Sequence, residues 1–329
     1  MIIMSSIIEN SMLTMRWGAL VSRWAVLTGY LAMVVIFSVL LPDTFLTMGT
    51  LRDLLNQAAV PVIIACGVTF TVTVGEFDLS FPAVVSIAGG AAVWLISVHD
   101  VGVAYAIAAG MLVAALSGLA VGSIVVFGGA SSFIITLALS SILNGIEWSI
   151  TGNVQIFNNI PDSFAVIANS SLFGFKTPVW LMFAVVVVSV FMLHWTTFGR
   201  HVYAIGGNER AAFLAGIRIK VVRIGCYVLV GIFAGVAAII LTSTASSYYP
   251  ALSAGLLLSS FASLFLGAAM AASNRFTVLG SAMGVVWLLT LQTGLTQLSE
   301  PAWVSTLVQG IVLAAAVLLA VRGRKGKTV

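Results

Sequence analysis

Runs of about 20 apolar residues recur along this chain between short polar breaks, the length an α-helix needs to cross a hydrocarbon core of about 30 Å. Ten are readable, at 24–41, 54–74, 79–97, 102–127, 132–151, 178–197, 224–243, 252–270, 277–298 and 302–321. None alternates polar and apolar residues with a period of two, which excludes a transmembrane β-barrel. A water-soluble globule is excluded as well, because 14 Lys and Arg with 10 Asp and Glu among 329 residues are too few to cover a solvated surface. The expected fold class is therefore an all-α polytopic membrane protein of about ten transmembrane helices.

Orientation follows from the basic residues. With the N-terminus inside, Arg16, Arg23, Arg200, Arg210, Arg218, Lys220, Arg223, Arg275, Arg322, Arg324, Lys325 and Lys327 face the cytoplasm, and Arg52 and Lys176 face outward. Both termini are thus expected in the cytoplasm. Residues 1–23 read as a cytoplasmic N-terminal tail without a cleavable signal, 24–321 as a single transmembrane domain, and 322–329 as a basic cytoplasmic tail. The basic residues gather at span ends rather than in a stripe, so no nucleic-acid partner is expected. Cys66 and Cys226 both fall inside apolar runs, which suits neither a disulfide framework nor a thiolate metal site.

Two polar stretches interrupt the spans. The outer one, 152–177, is long enough for a short helix or a loop packed over a pore mouth. The inner one, 198–223, contains a predicted helix of about two turns: Asn208 is a good N-cap, Glu209 complements the positive end of the dipole, and Gly216 suits a left-handed stop. Ala211, Ala212 and Ala215 give that helix a small-residue face that another protein could approach closely. The residues alone are equally compatible with a simple amphipathic interfacial loop.

Polar residues inside the spans are the candidates for a solute path. Asp78 lies between two apolar runs, flanked by Gly75 and Pro82, where it is either a cap for the third span together with Ser80 or part of a gate. On the fifth span Thr136, Ser140, Asn144, Glu147 and Thr151 fall within an arc of about 80°. Such a stripe faces protein or a water-filled path, and its hydroxyl, amide and carboxylate groups suit a sugar or polyol. Glue between helices, or a Glu at headgroup level, is the plainer reading. Thr290, Thr293 and Gln297 form a smaller stripe on the ninth span, over about 60°. The pairs Gly118/Gly122, Gly231/Gly235 and Gly280/Gly284 are spaced for close helix packing. No metalloprotease His pair, nucleophile elbow or P-loop is present, and His99, His194 and His201 lie far apart, so no catalytic residue, metal ligand or cofactor is expected.

Three segments resemble the permeases of ribose-type ABC importers. The first is Gly199 to Ile217, especially Tyr203-Ala204-Ile205-Gly206-Gly207-Asn208-Glu209. The second is Gly67 to Ser80, where Gly75-Glu76-Phe77-Asp78-Leu79-Ser80 is similar to the family's Gly-Gly-Ile-Asp-Leu-Ser. The third is Phe133-Ile134-Ile135-Thr136-Leu137 running on to Gly145 and Thr151-Gly152. The resemblance is colinear over roughly 50–320. It implies a multi-pass permease of the bacterial inner membrane that pairs with a second copy or a paralogue. It also implies a periplasmic substrate-binding protein that delivers a sugar-like solute, and a cytoplasmic ATP-binding subunit that drives import by alternating access. Asn208, Glu209, Arg210, Ala211, Ala212, Ala215 and Gly216 would then form the helix that couples to the ATPase. Asp78, Ser80, Thr136, Ser140, Asn144, Glu147, Thr293 and Gln297 would lie on the path or its gates. Two departures stand out: Glu76 adds a carboxylate to the second motif, and of a glycine-rich turn after the eighth span only Gly267 and Thr277 survive. The competing expectation is an ion-coupled secondary transporter in which Glu147 or Asp78 carries the coupling ion.

Overall fold

A computed structural model describes residue 24 and residues 26–271 and 275–324, so the tail of 1–23 and the last five residues lie outside the described residues. In chain order the helices are α1 (Val26–Leu40), α2 (Met48–Thr73), α3 (Phe81–His99), α4 (Val103–Gly128), α5 (Ser132–Thr151), α6 (Asp162–Asn169) and α7 (Thr177–Trp195). They continue as α8 (Thr197–Gly207), α9 (Glu209–Leu214), α10 (Ile219–Ala245), α11 (Leu256–Met270), α12 (Val278–Gln297) and α13 (Ala302–Arg324). A two-residue hairpin, β1 (Ser171–Leu172) with β2 (Phe175–Lys176), stands between α6 and α7. Among the described residues, α2, α3, α4, α5, α7, α10 and α12 are long and apolar enough to cross a membrane. The apolar stretches Val26–Leu40, Leu256–Met270 and Ala302–Leu318 are shorter and fall on the other three expected spans. The last helix runs on to Arg324, into the segment expected as a basic tail.

The chain forms two compact units, one from Ala59–Leu257 and one from the chain flanking it. In the first, α3 is buried almost all round, from Phe81 to Ile96, against α4, α5 and α10. Lipid tails are as apolar as the side chains, so association in a membrane depends on close packing rather than on escape from water. Gly118 of α4 and Gly231 of α10 supply it: a methyl carbon on Gly118 would stand 3.1 Å from the Gly231 Cα. One glycine of each pair thus meets the other, while Gly122 packs on Tyr227 and Gly235 on Ala114 and Met111, the close packing that the spacing predicts.

Helix α5 is inverted relative to a soluble helix. Its buried residues are Ser132, Thr136, Glu147 and Thr151, all polar, whereas Phe133, Ile134, Leu137, Ile142 and Ile146 are exposed. The polar arc read from the sequence is thus the face turned toward the protein. The 152–177 stretch does contain a short helix, α6, and it is anchored on α10: Ser243 Oγ donates to the Phe164 carbonyl at 2.6 Å and accepts from the Ala168 amide at 3.0 Å. The 198–223 stretch holds two helices rather than one. Val202 and Ile205 give α8 a buried face, which outweighs the glycines that mark the segment as a loop in the sequence.

In the second unit, Val26, Ala262, Leu266, Ala269, Leu288 and Ala316 form a core. The two survivors of the glycine-rich turn both have structural tasks. Gly267 abuts the backbone of Gly280, and the Thr277 hydroxyl caps α12 by accepting from the Gly280 amide at 3.1 Å.

Candidate functional site: a polar cavity and an exposed helix

A cavity of about 300 Å³ runs along α5. Ser140, Asn144 and Glu147 line it from α5, Pro82, Ala83 and Ser86 from α3, and Ser253 and Ala254 from the segment after α10, with Leu79, Leu137 and Trp148 completing the wall. The Ser86 and Ser253 hydroxyls are 3.0 Å apart and tie the two sides together. At one end, Glu147 is 2% exposed and accepts from the hydroxyls of Tyr248 and, at 3.0 Å, Thr151. Tyr248 is held in turn by paired backbone bonds of 2.9 Å with Ile156. Small hydroxyls, one amide and a braced carboxylate present donors and acceptors without a fixed positive charge, which is chemistry suited to a neutral polyhydroxy solute.

The other end is built by the loop between α2 and α3. The Leu79 amide donates to Thr136 Oγ1 at 3.0 Å, the Phe77 amide donates to Ser132 Oγ at 3.1 Å, and the first turn of α5 is thereby bound to the loop. Asp78, 3% exposed, accepts from the Ser80 amide at 2.8 Å and the Ser80 hydroxyl at 2.6 Å. Burial pushes the Asp78 carboxyl above the usual carboxylate range, opposed by the Ser80 hydroxyl and the amides of Ser80 and Phe81. Asp78 thus closes a turn ahead of α3, and Ser80, at the N-cap position with helical backbone angles, makes no capping bond because its hydroxyl is committed to Asp78.

Of the residues expected on the path, then, Ser140, Asn144 and Glu147 line the cavity, whereas Asp78, Ser80 and Thr136 hold the loop at its end. Thr293 and Gln297 belong to the other unit, where they line a separate pocket of about 360 Å³ with Thr50, Asp53, Gln57, Gln292 and Thr296. There the Gln297 amide donates to Thr50 Oγ1 at 3.0 Å. Thr290 is spent on its own helix, donating to the Val286 carbonyl at 2.7 Å. Sequence reasoning missed Tyr248, Ser86 and Ser253. Tyr248 reaches Glu147 across 101 residues and Ser86 reaches Ser253 across 167, separations for which no local pattern gives a signal.

The helix expected at 208–216 is α9, six residues long. The Asn208 side chain accepts from the Ala211 amide at 2.9 Å, and Gly216 has φ +79°, so both its start and its stop are as expected. The three-alanine face is corrected. Successive residues lie about 100° apart on a helix, and Ala212 is turned inward at 4% exposure, while Ala211 and Ala215 stay exposed beside Phe213 and Leu214, 68% and 79% exposed. Glu209, at the head of α9, is held by Arg223 Nη2 at 2.7 Å, and Arg210 is exposed next to it.

The family described as "Branched-chain amino acid transport system / permease component" matches residues 50–317. The ribose import permease protein RbsC of Escherichia coli K12 is 31% identical over 296 residues, 89% of this chain and 92% of that protein. RbsC of Bacillus subtilis 168 is 32% identical over 88% of this chain and 90% of its own length. The L-arabinose ABC transporter permease protein AraH of Azospirillum brasilense is 31% identical over 91% and 87%. With a family match over most of its length and such relatives end to end, this chain belongs to the ABC-transporter permease components and is a multi-pass membrane protein.

Proposed function

We propose that the chain is the membrane-spanning subunit of an ATP-driven importer that moves a sugar or sugar-like polyhydroxy solute into the cytoplasm by alternating access. The observation that carries this reading is α9. On this capped six-residue helix Phe213 and Leu214 are bare at the surface, an apolar patch that a docked partner would cover. In a chain related to ribose and L-arabinose permeases, that partner is the cytoplasmic ATP-binding subunit. The cavity along α5 then receives the solute from a periplasmic binding protein. In this reading ten spans leave both termini in the cytoplasm of an inner-membrane protein, and a second copy or a paralogous permease completes the path.

The test is copurification from native membranes in mild detergent. The wild-type chain is expected to bring an ATP-hydrolysing subunit in stoichiometric amount, and Phe213→Asp to lose it while still eluting as a folded membrane protein. Solute uptake that proceeds with no copurifying ATPase and no need for ATP would overturn the reading.

A further inference from the structure

Arg223 stands on the first turns of α10 and touches two carboxylates from different parts of the chain. Its Nη2 lies 2.7 Å from Glu209 Oε2 at the head of α9, and its Nε lies 3.2 Å from Glu76 Oε1 in the loop before α3. The Glu209 contact is a hydrogen-bonded ion pair, whereas the Glu76 contact is an ion pair by distance with no hydrogen bond at Nε, so one guanidinium charge is shared between two carboxylates. Glu76 is 9% exposed, and a buried carboxylate stripped of its cation is unfavourable, which ties the loop to Arg223. The residues that follow Glu76 are bound to α5, through the Phe77 amide on Ser132 and the Leu79 amide on Thr136. One residue beyond Thr136 the same helix begins to line the cavity with Leu137, and it continues with Ser140, Asn144 and Glu147.

We infer that Arg223 is the mechanical link between α9 and the solute cavity: through Glu209 and Glu76 it passes a displacement of α9 to the 76–80 loop and on to α5. It is a positioning residue, since neither it nor Glu76 lines the cavity. The inference rests on the reading of α9 as the ATPase-docking helix. It goes beyond that reading by naming the route and its first breakable bond. Glu76 is the place to cut. Replacing it with Gln removes one charge, leaves Arg223 paired with Glu209, and strands no buried carboxylate.

The experiment measures hydrogen exchange by mass spectrometry on the permease complex with its copurified ATPase, with and without ATP plus vanadate, for the wild type and Glu76→Gln. In the wild type, nucleotide is expected to change exchange both in 208–217 and in 74–86. In Glu76→Gln the change in 208–217 is expected to persist, while that in 74–86 falls about fivefold or more, the lower range of typical allosteric coupling. Both variants are first matched for elution and baseline exchange outside these segments, so that a folding defect is not read as lost coupling. Equal nucleotide responses of 74–86 in the two proteins would overturn the link while leaving α9 as the docking helix. No nucleotide response of 208–217 in the wild type would overturn the docking reading, and the link with it.

Discussion

Replacing Thr136 with Val keeps the shape of a buried side chain and deletes one hydroxyl. That hydroxyl accepts from the Leu79 amide at 3.0 Å and lies 3.3 Å from the Phe77 carbonyl, so it closes the 77–79 loop onto α5 from a fully buried position. The change leaves the part-buried Leu79 amide without its acceptor, and a stranded donor costs about 1–3 kcal/mol. Taking the middle of that range, about 2 kcal/mol, and about 2–4 °C per kcal/mol for a unit of this size, the melting temperature is expected to fall by about 4–8 °C. Thr136→Ser retains the hydroxyl and loses one buried methyl, worth about 0.8 kcal/mol, so its shift is expected to be about 2–3 °C. The assay is thermal unfolding of the detergent-solubilised protein followed by size-exclusion fluorescence. A Val variant that melts with the wild type, or a Ser variant that melts below the Val variant, would refute the claim that this hydroxyl fastens the loop.

Three further outcomes follow from the same geometry. Asp78→Ala removes the acceptor of the Ser80 amide and hydroxyl and is expected to cost about 1–2 kcal/mol; Asp78→Asn keeps an acceptor without the buried charge and is expected to melt at or above the wild type in the same assay. Asn144→Leu takes an amide from the cavity wall and, under the proposed function, is expected to lower uptake of the polyhydroxy solute by about tenfold, one hydrogen bond of about 1.4 kcal/mol, with ATPase copurification unchanged. Gly231→Ala adds a methyl where a Cβ would sit 3.1 Å from the Gly118 Cα, and is expected to destabilise by about 1–3 kcal/mol, with the Gly118→Ala/Gly231→Ala double variant falling short of the sum.

What could be read from the sequence was whatever a local rule fixes. Apolar length located the helices, seven of them long enough to cross a membrane among the described residues, helical periodicity placed Ser140, Asn144 and Glu147 on one face, and capping chemistry fixed both ends of α9. Periodicity could not say which polar residues reach open space and which are spent on the chain's own backbone. Thr136 and Ser140 share the arc, yet Thr136 is taken by Leu79 and Ser140 lines the cavity. That distinction depends on the neighbouring loop, which is joined to α5 across more than fifty residues. Ala212 is turned inward because neighbours one residue apart lie about 100° round a helix and share no face with Ala211. Tyr248 and Arg223 matter only through partners remote in the chain, Glu147 for the first and Glu76 for the second, and a single sequence offers no pairing signal for either.

Among the described residues three carboxylates, Glu76, Asp78 and Glu147, are buried, and their partners bear on the choice between the proposed importer and an ion-coupled carrier. In the competing reading Glu147 or Asp78 would bind and release the coupling ion in each cycle, with ligands that open and close around it. Here Glu76 is paired with Arg223, Asp78 is bound to Ser80 at the start of α3, and Glu147 is bound to Tyr248 and Thr151. Each also fixes a different junction: the α9 contact, the α2–α3 loop and the far end of the cavity. Releasing any of them to take up a proton would loosen the element it holds. Carboxylates used as fasteners suit a permease whose motion is imposed from a docked partner through α9, because such a device needs firm joints between the point of force and the cavity and has no need of a titrating group within it.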